Sequence, residues 1–302
     1  MPAQNRMLII DGHAYAYRSF HAIRHLSSPS GAPTNAIYGF IKAVGRMLTL
    51  LAPSHLVVVW DGGLHPERMV QLPGYKAQRP PMPDDLEKQL DGIVTYLNAA
   101  GYASLTADGV EADDWIAFIA RRYSAEVPVV IASADKDFLQ LVSPRVALLN
   151  PNDKTDKLWT ADDVRAKTGV APEQIVDWLS LIGDSVDNIP GVPGVGPKTA
   201  TELLTQFGSV AELYSRLAEV KSERRRAALQ GAEADVRRNQ LLIRLRDDVP
   251  AVGLDELLLR APSPERLRGL YSEWGFKGML AALEAPAASK AEEPTMDQGV
   301  LL

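Results

Sequence analysis

The chain has 302 residues, a hydrophobic fraction of 46%, a formal net charge of −6 and no cysteine. This composition predicts a folded protein of a reducing compartment, with one large domain or two modest ones, and it excludes a secreted disulfide framework. The start of the chain has no secretory hydrophobic region and no apolar run approaches the length of a membrane span, so we expect a cytoplasmic protein without a membrane partner.

Acidic residues follow several short apolar runs that are typical of strands. Runs at residues 7–10, 56–60 and 129–132 alternate with amphipathic helical patterns such as that of residues 37–51. This alternation predicts an α/β fold with a mostly parallel sheet flanked by helices. Open parallel sheets bind their ligands outside the carboxyl ends of the strands, so we expect the acids at these ends to converge. They are Asp11, Asp61, Asp135 and Asp137.

Three further carboxylates fall within four residues, at Glu111, Asp113 and Asp114. An isolated cluster of this kind is equally typical of a solvated helix start. Here Asp184 and Asp187 add a pair that one face of a helix would present together. Many carboxylates at one edge, with no cysteine, favour Mg²⁺ or Mn²⁺ over zinc. Bound cations would reverse the local field, so the negative net charge does not exclude a polyanionic partner.

The segment 62–85 interrupts the helical and strand patterns. It has four prolines between residues 72 and 85 and no amphipathic period, which predicts an exposed, mobile loop or lid. A proline-rich linker is the alternative. Tyr75, Lys76 and Arg79 offer an aromatic ring and two cations beside the acids, a combination that suits single-stranded nucleic acid.

The second half of the chain is mostly helical in pattern and contains a turn rich in glycine and proline at residues 191–197. Residues 192–196 have the form of a helix-hairpin-helix turn, in which glycines let the backbone approach a ligand and Pro197 starts the next helix. Free amides there bind phosphate, with a lysine as a point charge. An ordinary turn is the alternative. The candidate DNA-binding residues are Gly191, Gly194, Gly196, Lys198 and Thr199.

The sequence resembles the 5′-nuclease family, which comprises the flap endonucleases and the 5′-3′ exonuclease domain of bacterial DNA polymerase I. The resemblance extends from Met7 to about Phe276, and seven motifs occur in family order. They are Ile10-Asp11-Gly12, Tyr17-Arg18, Trp60-Asp61, residues 75–85, residues 109–114, Ala134-Asp135-Lys136-Asp137, and the hairpin stretch from Gly183.

The resemblance implies a PIN-like (Rossmann-like) nuclease core at residues 1–158 with a helical arch at about 62–85. A helical DNA-binding region at 159–284 would follow, with its helix-hairpin-helix at about 183–206. It also implies phosphodiester hydrolysis with two divalent cations, Mg²⁺ or Mn²⁺. The first maps to Asp11, Asp61, Glu111 and Asp113, and the second to Asp135, Asp137, Asp184 and Asp187, with Asp114 nearby.

Cations of the chain are expected to assist this chemistry. Lys76 and Arg79, with help from Arg18, would neutralise charge that develops on the scissile phosphate. The resemblance further implies a monovalent cation, K⁺, held at the hairpin by backbone carbonyls that include those of Val192 and Val195.

We therefore expect a monomeric, stand-alone 5′-3′ exonuclease and flap endonuclease that acts on DNA with 5′ flaps, gaps or ends and on RNA primers. Two alternatives fit the sequence less well. A non-catalytic, structure-selective DNA-binding protein is disfavoured by the complete set of acids, and an RNA-cutting PIN nuclease would be shorter and lack the arch and hairpin. Small departures from the family pattern are Gly62-Gly63, where Ala-Lys is common, and His13, where Ser is common.

The last residues, 285–302, are predicted to form a disordered tail. Its end resembles the short peptide by which bacterial replication proteins bind the sliding clamp, through Gln298, Leu301 and Leu302. Gly299 departs from that peptide, in which Leu is often seen. A random tail is the alternative, because short motifs often match by chance.

Overall fold

A six-stranded sheet forms the centre of the computed structural model, which describes residues 4–285. The strands are β1 Gln4–Asp11, β2 Pro53–Val59, β3 Ala103–Leu105, β4 Val129–Ala132, β5 Val146–Leu149 and β6 Leu158–Trp159. They lie in the order β3-β2-β1-β4-β5-β6. Strands β1 to β5 pair in parallel, whereas β6 is antiparallel to β5. The predicted mostly parallel sheet is confirmed.

Helices cover both faces of this sheet. In β1, Met7 and Ile9 belong to one buried cluster, while Leu8 and Ile10 belong to the other, because alternate side chains of a strand point to opposite faces. Phe40 of the second helix packs on the Leu8 face. The helices of this half are α1 Gly12–Ala22, α2 Asn35–Leu51, α3 Pro66–Gln71, α4 Asp84–Ala100 and α5 Ala112–Tyr123.

The second half is helical, with a short hairpin of two-residue strands, β7 Gly183–Asp184 and β8 Ile189–Pro190. Short 3₁₀ turns occupy 136–141, 172–174, 217–219 and 254–257. The helices are α6 Ala161–Thr168, α7 Ile175–Ile182, α8 Pro197–Phe207, α9 Val210–Ser215, α10 Glu223–Gly231, α11 Glu233–Ile243, α12 Pro264–Glu273 and α13 Lys277–Glu284.

The last two helices return to the sheet half of the molecule. Trp274 and Phe276 are buried in the same cluster as the side chains of α2 and α4. The structure thus packs residues 264–284 against the core, although the sequence groups them with the helical region. Within residues 4–285, no helix is both long enough and apolar enough to cross a membrane.

The segment 62–85 is more ordered than its composition suggests. It contains α3, and the residues Tyr75 and Lys76 are only 3% and 6% exposed. The expectation of an exposed loop is wrong for these two residues, because the hydroxyl of Tyr75 and the ammonium of Lys76 both find a buried carboxylate, Glu111. Arg79 does lie at the surface. The mobility of the segment without DNA stays a prediction.

The sheet order places the acids at a topological switch point. Strand β1 lies between β2 and β4, and the chain moves outward from it in both directions. Such a reversal opens a crevice at the carboxyl ends of the strands. Asp11 ends β1, Asp61 follows β2 and Asp135 follows β4. The fold therefore supplies the edge at which the sequence predicts the acids to meet.

Candidate metal and nucleic-acid site

Asp11 is fixed at the point where β1 becomes α1. Its Oδ1 accepts a hydrogen bond from the Ala14 amide at 3.0 Å, and its Oδ2 accepts one from the Ser133 hydroxyl at 3.1 Å. Burial, helped by the charges of Asp61 and Asp135, raises the pKa of Asp11 to about 6, although these two hydrogen bonds lower it. The residue is thus an anion that the fold holds at some electrostatic cost.

Asp61 lies beside the first turn of α5. Its Oδ1 accepts a hydrogen bond from the Ala112 amide at 2.9 Å, and its Oδ2 is 3.4 Å from the His13 Nδ1. Burial would raise the pKa of Asp61, but the hydrogen bonds with His13 and the Ala112 amide, together with the charge of Lys76, lower it to about 2. Asp61 is therefore a permanent anion.

Glu111 immediately precedes α5 and is 1% exposed. Its Oε1 accepts hydrogen bonds from the Arg68 guanidinium at 2.9 Å and from the His65 amide at 3.2 Å. Its Oε2 meets the Lys76 ammonium and the Tyr75 hydroxyl, the latter at 3.3 Å. Burial opposes ionisation, but Lys76 and Arg68 hold the pKa of Glu111 below its usual value.

Asp113 lies in the first turn of α5, two residues after Glu111. With Asp11, Asp61 and Glu111 it makes up the first acid group. Its Oδ2 lies 3.8 Å from the Lys76 ammonium. Burial raises the pKa of Asp113 well above its usual value despite Lys76, and the charges of Asp135, Asp61 and Asp11 act in the same direction. The charges of Asp135, Asp61 and Asp11 thus act on Asp113, so these four acids share one electrostatic environment.

A second acid group brings two halves of the chain together. One carboxylate oxygen from each of Asp137, Asp184 and Asp187 lies within 4.8 Å of the others. The Lys136 ammonium is 3.2 Å from Asp184, and the Arg79 guanidinium is 2.7 Å from Asp187. The chain's own cations thus approach this group from two sides.

The second group fits a hard divalent cation. Asp137 Oδ1 is buried and has no hydrogen-bond partner within residues 4–285, although a buried polar atom without a partner is costly. Burial and the charges of Asp135, Asp187 and Asp184 raise the pKa of Asp137 well above its usual value. A bound cation would relieve both penalties, and carboxylate oxygens are the ligands that Mg²⁺ and Mn²⁺ prefer.

Metal and pH should therefore change the stability of the protein together. The folded-state pKa of Asp11 is raised from 3.8 to about 6. Between these pH values the folded state holds a proton that the unfolded state releases, so the unfolding free energy falls as pH rises, by about 1.4 kcal/mol per pKa unit. The raised pKa values of Asp113 and Asp137 act in the same direction.

We accordingly expect the metal-free protein to lose stability between about pH 4 and pH 6, and Ca²⁺ to restore it. Thermal unfolding in EDTA and in Ca²⁺ measures this. The gain in Tm on adding Ca²⁺ should be larger at about pH 7.5 than at about pH 5, because protonated acids bind cations poorly. An equal gain at both pH values would contradict the expectation.

Asp114 is an exception among the acids predicted to lie near the metals. Both of its oxygens accept hydrogen bonds from Arg68, at 2.7 and 2.8 Å, and Oδ1 also accepts the Arg246 amide at 2.9 Å. Neighbouring residues of a helix point about 100° apart, so Asp113 and Asp114 have different surroundings. The structure pairs Asp114 with an arginine instead of adding it to the acid groups, which corrects its place in the predicted ligand set.

Arg68 is the functional candidate that sequence reasoning missed. Its side chain is 4% exposed and bridges Glu111 to Asp114. In the sequence, Arg68 is one of several charged residues of the segment 62–85, and no motif distinguishes it. The only available signal was the density of acids at 111–114, which requires a nearby cation without saying which one.

Arg18 does not join the acids in this structure. It is exposed, and its guanidinium donates a hydrogen bond to Asn152 Oδ1 at 2.7 Å. Lys76 and Arg79, in contrast, contact one acid group each. Of the three predicted catalytic cations, Lys76 and Arg79 therefore lie against the acid groups, and their catalytic role stays a prediction.

The predicted hairpin links β8 to α8, and its glycines differ in their surroundings. A Cβ on Gly191 would lie 2.2 Å from the Ile182 carbonyl oxygen, so this position needs glycine for packing. Gly194 has a φ of +76°, a conformation that favours glycine. Added Cβ atoms on Gly194 and Gly196 would face open space. Those two leave the backbone accessible to a ligand, whereas Gly191 shapes the turn.

The start of α8 presents free backbone amides. Pro197 is the first helical residue, Lys198 is exposed and Thr199 is half-buried. Val192 and Val195 bury their side chains in the core, and the Val195 amide donates to the Val192 carbonyl at 3.0 Å. A helix start of this kind, with an exposed lysine beside it, is able to bind phosphate.

Two family models match consecutive parts of the chain. The 5′-3′ exonuclease N-terminal resolvase-like domain matches residues 6–169, and the 5′-3′ exonuclease C-terminal SAM fold matches residues 170–265. The chain belongs to the 5′-3′ exonuclease family. The second acid group combines residues of both parts, since Asp137 lies in the first and Asp184 and Asp187 lie in the second.

Relatives within the 5′-3′ exonuclease family are of two lengths. The chain is 38% identical over 280 residues to a 5′-3′ exonuclease of Aquifex aeolicus, covering 92% of this chain and 95% of that protein. It is 39% identical to DNA polymerase I of Pseudomonas aeruginosa, covering 97% of this chain but 33% of the polymerase. The chain thus spans about a third of the polymerases that it resembles.

Solved structures share the fold of this family member. The 5′-exonuclease of bacteriophage T5 with bound zinc has a TM-score of 0.68 and 24% identity, over 89% of this chain and 99% of the other. The catalytic core of Rad2 in complex with DNA substrate has a TM-score of 0.61 and 16% identity, over 94% and 95% of the two chains. These likenesses confirm the predicted nuclease-type α/β architecture.

Proposed function

We propose that the protein is a structure-specific 5′-3′ exonuclease and flap endonuclease that hydrolyses phosphodiesters of DNA and of RNA primers with two divalent cations, Mg²⁺ or Mn²⁺. The observation that carries the proposal is the pair of acid groups at the switch point. The second of them has a buried carboxylate oxygen, Asp137 Oδ1, without a hydrogen-bond partner among the described residues 4–285. The family relationship and the DNA-bound fold relatives support the choice of a nucleic-acid substrate.

The chain's own residues would hold and orient the reactants. Asp11, Asp61, Glu111 and Asp113 form the first metal group, and Asp135, Asp137, Asp184 and Asp187 form the second. When bound, the ions would lower the pKa of a water molecule that attacks the phosphate, and they would neutralise charge on the scissile phosphate. Lys76 and Arg79 add positive charge at the same edge, and Arg18 would have to leave Asn152 to do so.

One assay tests this proposal. A 5′-labelled flap substrate is incubated with the protein in Mg²⁺ or EDTA, and the products are resolved by length. We expect short 5′ products, released in Mg²⁺ only. Binding to the flap without any cleavage in Mg²⁺ or Mn²⁺ would instead support a non-catalytic DNA-binding protein.

The hairpin is proposed to bind the duplex beside the cut. The open faces of Gly194 and Gly196, the amides at the start of α8 and the exposed Lys198 support phosphate contact. By resemblance, carbonyls that include those of Val192 and Val195 would hold K⁺ between turn and phosphate. Duplex binding should then be tighter in K⁺ than in a bulky organic cation at equal ionic strength, and equal binding would contradict the ion.

A sliding-clamp contact through Gln298, Leu301 and Leu302 is proposed from the sequence alone, because this tail lies outside the described residues. Docking through the tail would raise the local concentration of the nuclease at new strands. Titration of clamp with the intact protein and with a chain lacking residues 298–302 tests it, and identical curves would remove it. Monomeric state and cytoplasmic location stay predictions.

A further inference from the structure

Arg68 lies where the arch segment meets the first acid group. It is in α3, and its guanidinium forms two hydrogen bonds with Asp114, one from each terminal nitrogen, at 2.7 and 2.8 Å. One of these nitrogens also donates to Glu111 at 2.9 Å. Paired bonds of this kind fix the orientation of both partners more strictly than a single charge contact does.

The contacts of Glu111 are divided between its two oxygens. Oε1 accepts hydrogen bonds from the Arg68 guanidinium, in α3, and from the backbone amide of His65, which immediately precedes α3. Oε2 contacts Lys76 and Tyr75. Because Oε1 is held by Arg68, the carboxylate cannot rotate without breaking a buried charged bond, and Oε2 stays on the side of Asp113, which Lys76 also approaches.

Fold stability alone explains this arrangement poorly. Moving charges out of water is expensive, and a buried ion pair often adds no net stability compared with apolar residues of similar size. Arg68 in addition has a buried Nε without a hydrogen-bond partner among residues 4–285. Arg68 is thus a buried cation with an unfavourable desolvation energy, and it fixes Oε1 of Glu111, a proposed metal ligand. This combination points to a role of Arg68 in the site.

We propose that Arg68 is a positioning residue: it holds Glu111 so that Oε2 faces the other acids of the first metal group. Through this contact Arg68 would also couple α3 of the arch segment to metal binding. This inference rests on the proposed function. Residues that orient a metal ligand from outside the coordination sphere typically affect metal affinity about 10- to 100-fold when they are replaced.

The test measures Mn²⁺ binding by isothermal titration calorimetry on the full chain without DNA. Arg68→Lys keeps the charge but cannot form the two-pronged contact, so we expect Mn²⁺ affinity at one site to fall about 10- to 100-fold. Arg246→Met is the matched control, because that arginine side chain contacts Glu67 and Asp248 in the same neighbourhood but not Glu111. Its Mn²⁺ affinity should equal that of the wild type.

A second pair of variants covers a possible failure of Arg68→Lys to fold. Arg68→Met combined with Asp114→Asn removes both charges of the ion pair, and proteins often tolerate such neutral replacement. Its Mn²⁺ affinity is compared with that of Asp114→Asn alone, and thermal unfolding measures the stability of each. We expect the double variant to bind more weakly than the single one, because only the double variant frees Glu111.

The outcomes separate this inference from the proposed function. A wild-type protein that binds no Mn²⁺ would contradict the function itself. A wild type that binds Mn²⁺, with Arg68→Lys equal to it or with the double variant equal to Asp114→Asn, would overturn only the role of Arg68. A fall in Mn²⁺ affinity that follows the loss of Tm in all variants, Arg246→Met included, would show a purely structural effect.

Discussion

Asp184→Asn should reduce flap cleavage by at least about 10³-fold while the protein still binds DNA in Ca²⁺. Asp184 is buried and lies with Asp137 and Asp187 in the second acid group. Replacing it removes one charged ligand, and it also lowers the repulsion between the group and a phosphate. Chemistry should therefore be lost without loss of affinity. Asp135→Asn is expected to behave in the same way.

Single-turnover cleavage in Mg²⁺ and a binding titration in Ca²⁺ measure the two effects separately. Asp162→Asn is a suitable control, because the Asp162 side chain is 94% exposed and forms an ion pair with Arg165 on its own helix. That variant should cleave at the wild-type rate. Undiminished turnover by Asp184→Asn and Asp135→Asn would remove the two-metal interpretation.

Lys76→Ala should slow turnover by roughly 10²- to 10³-fold, the effect expected for losing one charge that stabilises a transition state. In the absence of DNA its ammonium is buried between Glu111 and Asp113. Although burial opposes the charge, these acids raise the pKa of Lys76 above its usual value, so the lysine is always charged. Its ammonium is thus placed at the edge where the scissile phosphate is proposed to lie.

The same geometry provides an internal control for Lys76. Its ammonium and a divalent cation are both attracted to Glu111 Oε2, so Lys76→Ala should bind Mn²⁺ at least as tightly as the wild type. Slower single-turnover cleavage, with metal affinity equal to or higher than that of the wild type and nearly unchanged DNA affinity, is the expected pattern. An equal loss in turnover and in DNA affinity would make Lys76 an ordinary phosphate contact.

The sequence by itself determined the sheet and the edge at which the acids meet. Apolar runs that alternate with amphipathic helices specify parallel strands, and an acid directly after such a run must lie at the carboxyl edge. Asp11, Asp61 and Asp135 lie at or just beyond the ends of β1, β2 and β4 for this reason. The glycines and Pro197 of the hairpin were likewise readable, because turn conformations and helix starts depend on local backbone chemistry.

Only the tertiary structure decided which cation meets which acid. Arg68 is 43 residues from Glu111 in sequence, and Arg79 is 108 residues from Asp187. No local sequence pattern encodes such pairings, because a long side chain can reach many partners. Which partner it contacts depends on how distant segments of the chain pack. For that reason the role of Arg68 could not be predicted from the sequence, and Lys76 was wrongly expected in an exposed loop. It also grouped Asp114 with the metal ligands, whereas the fold buries it against Arg68.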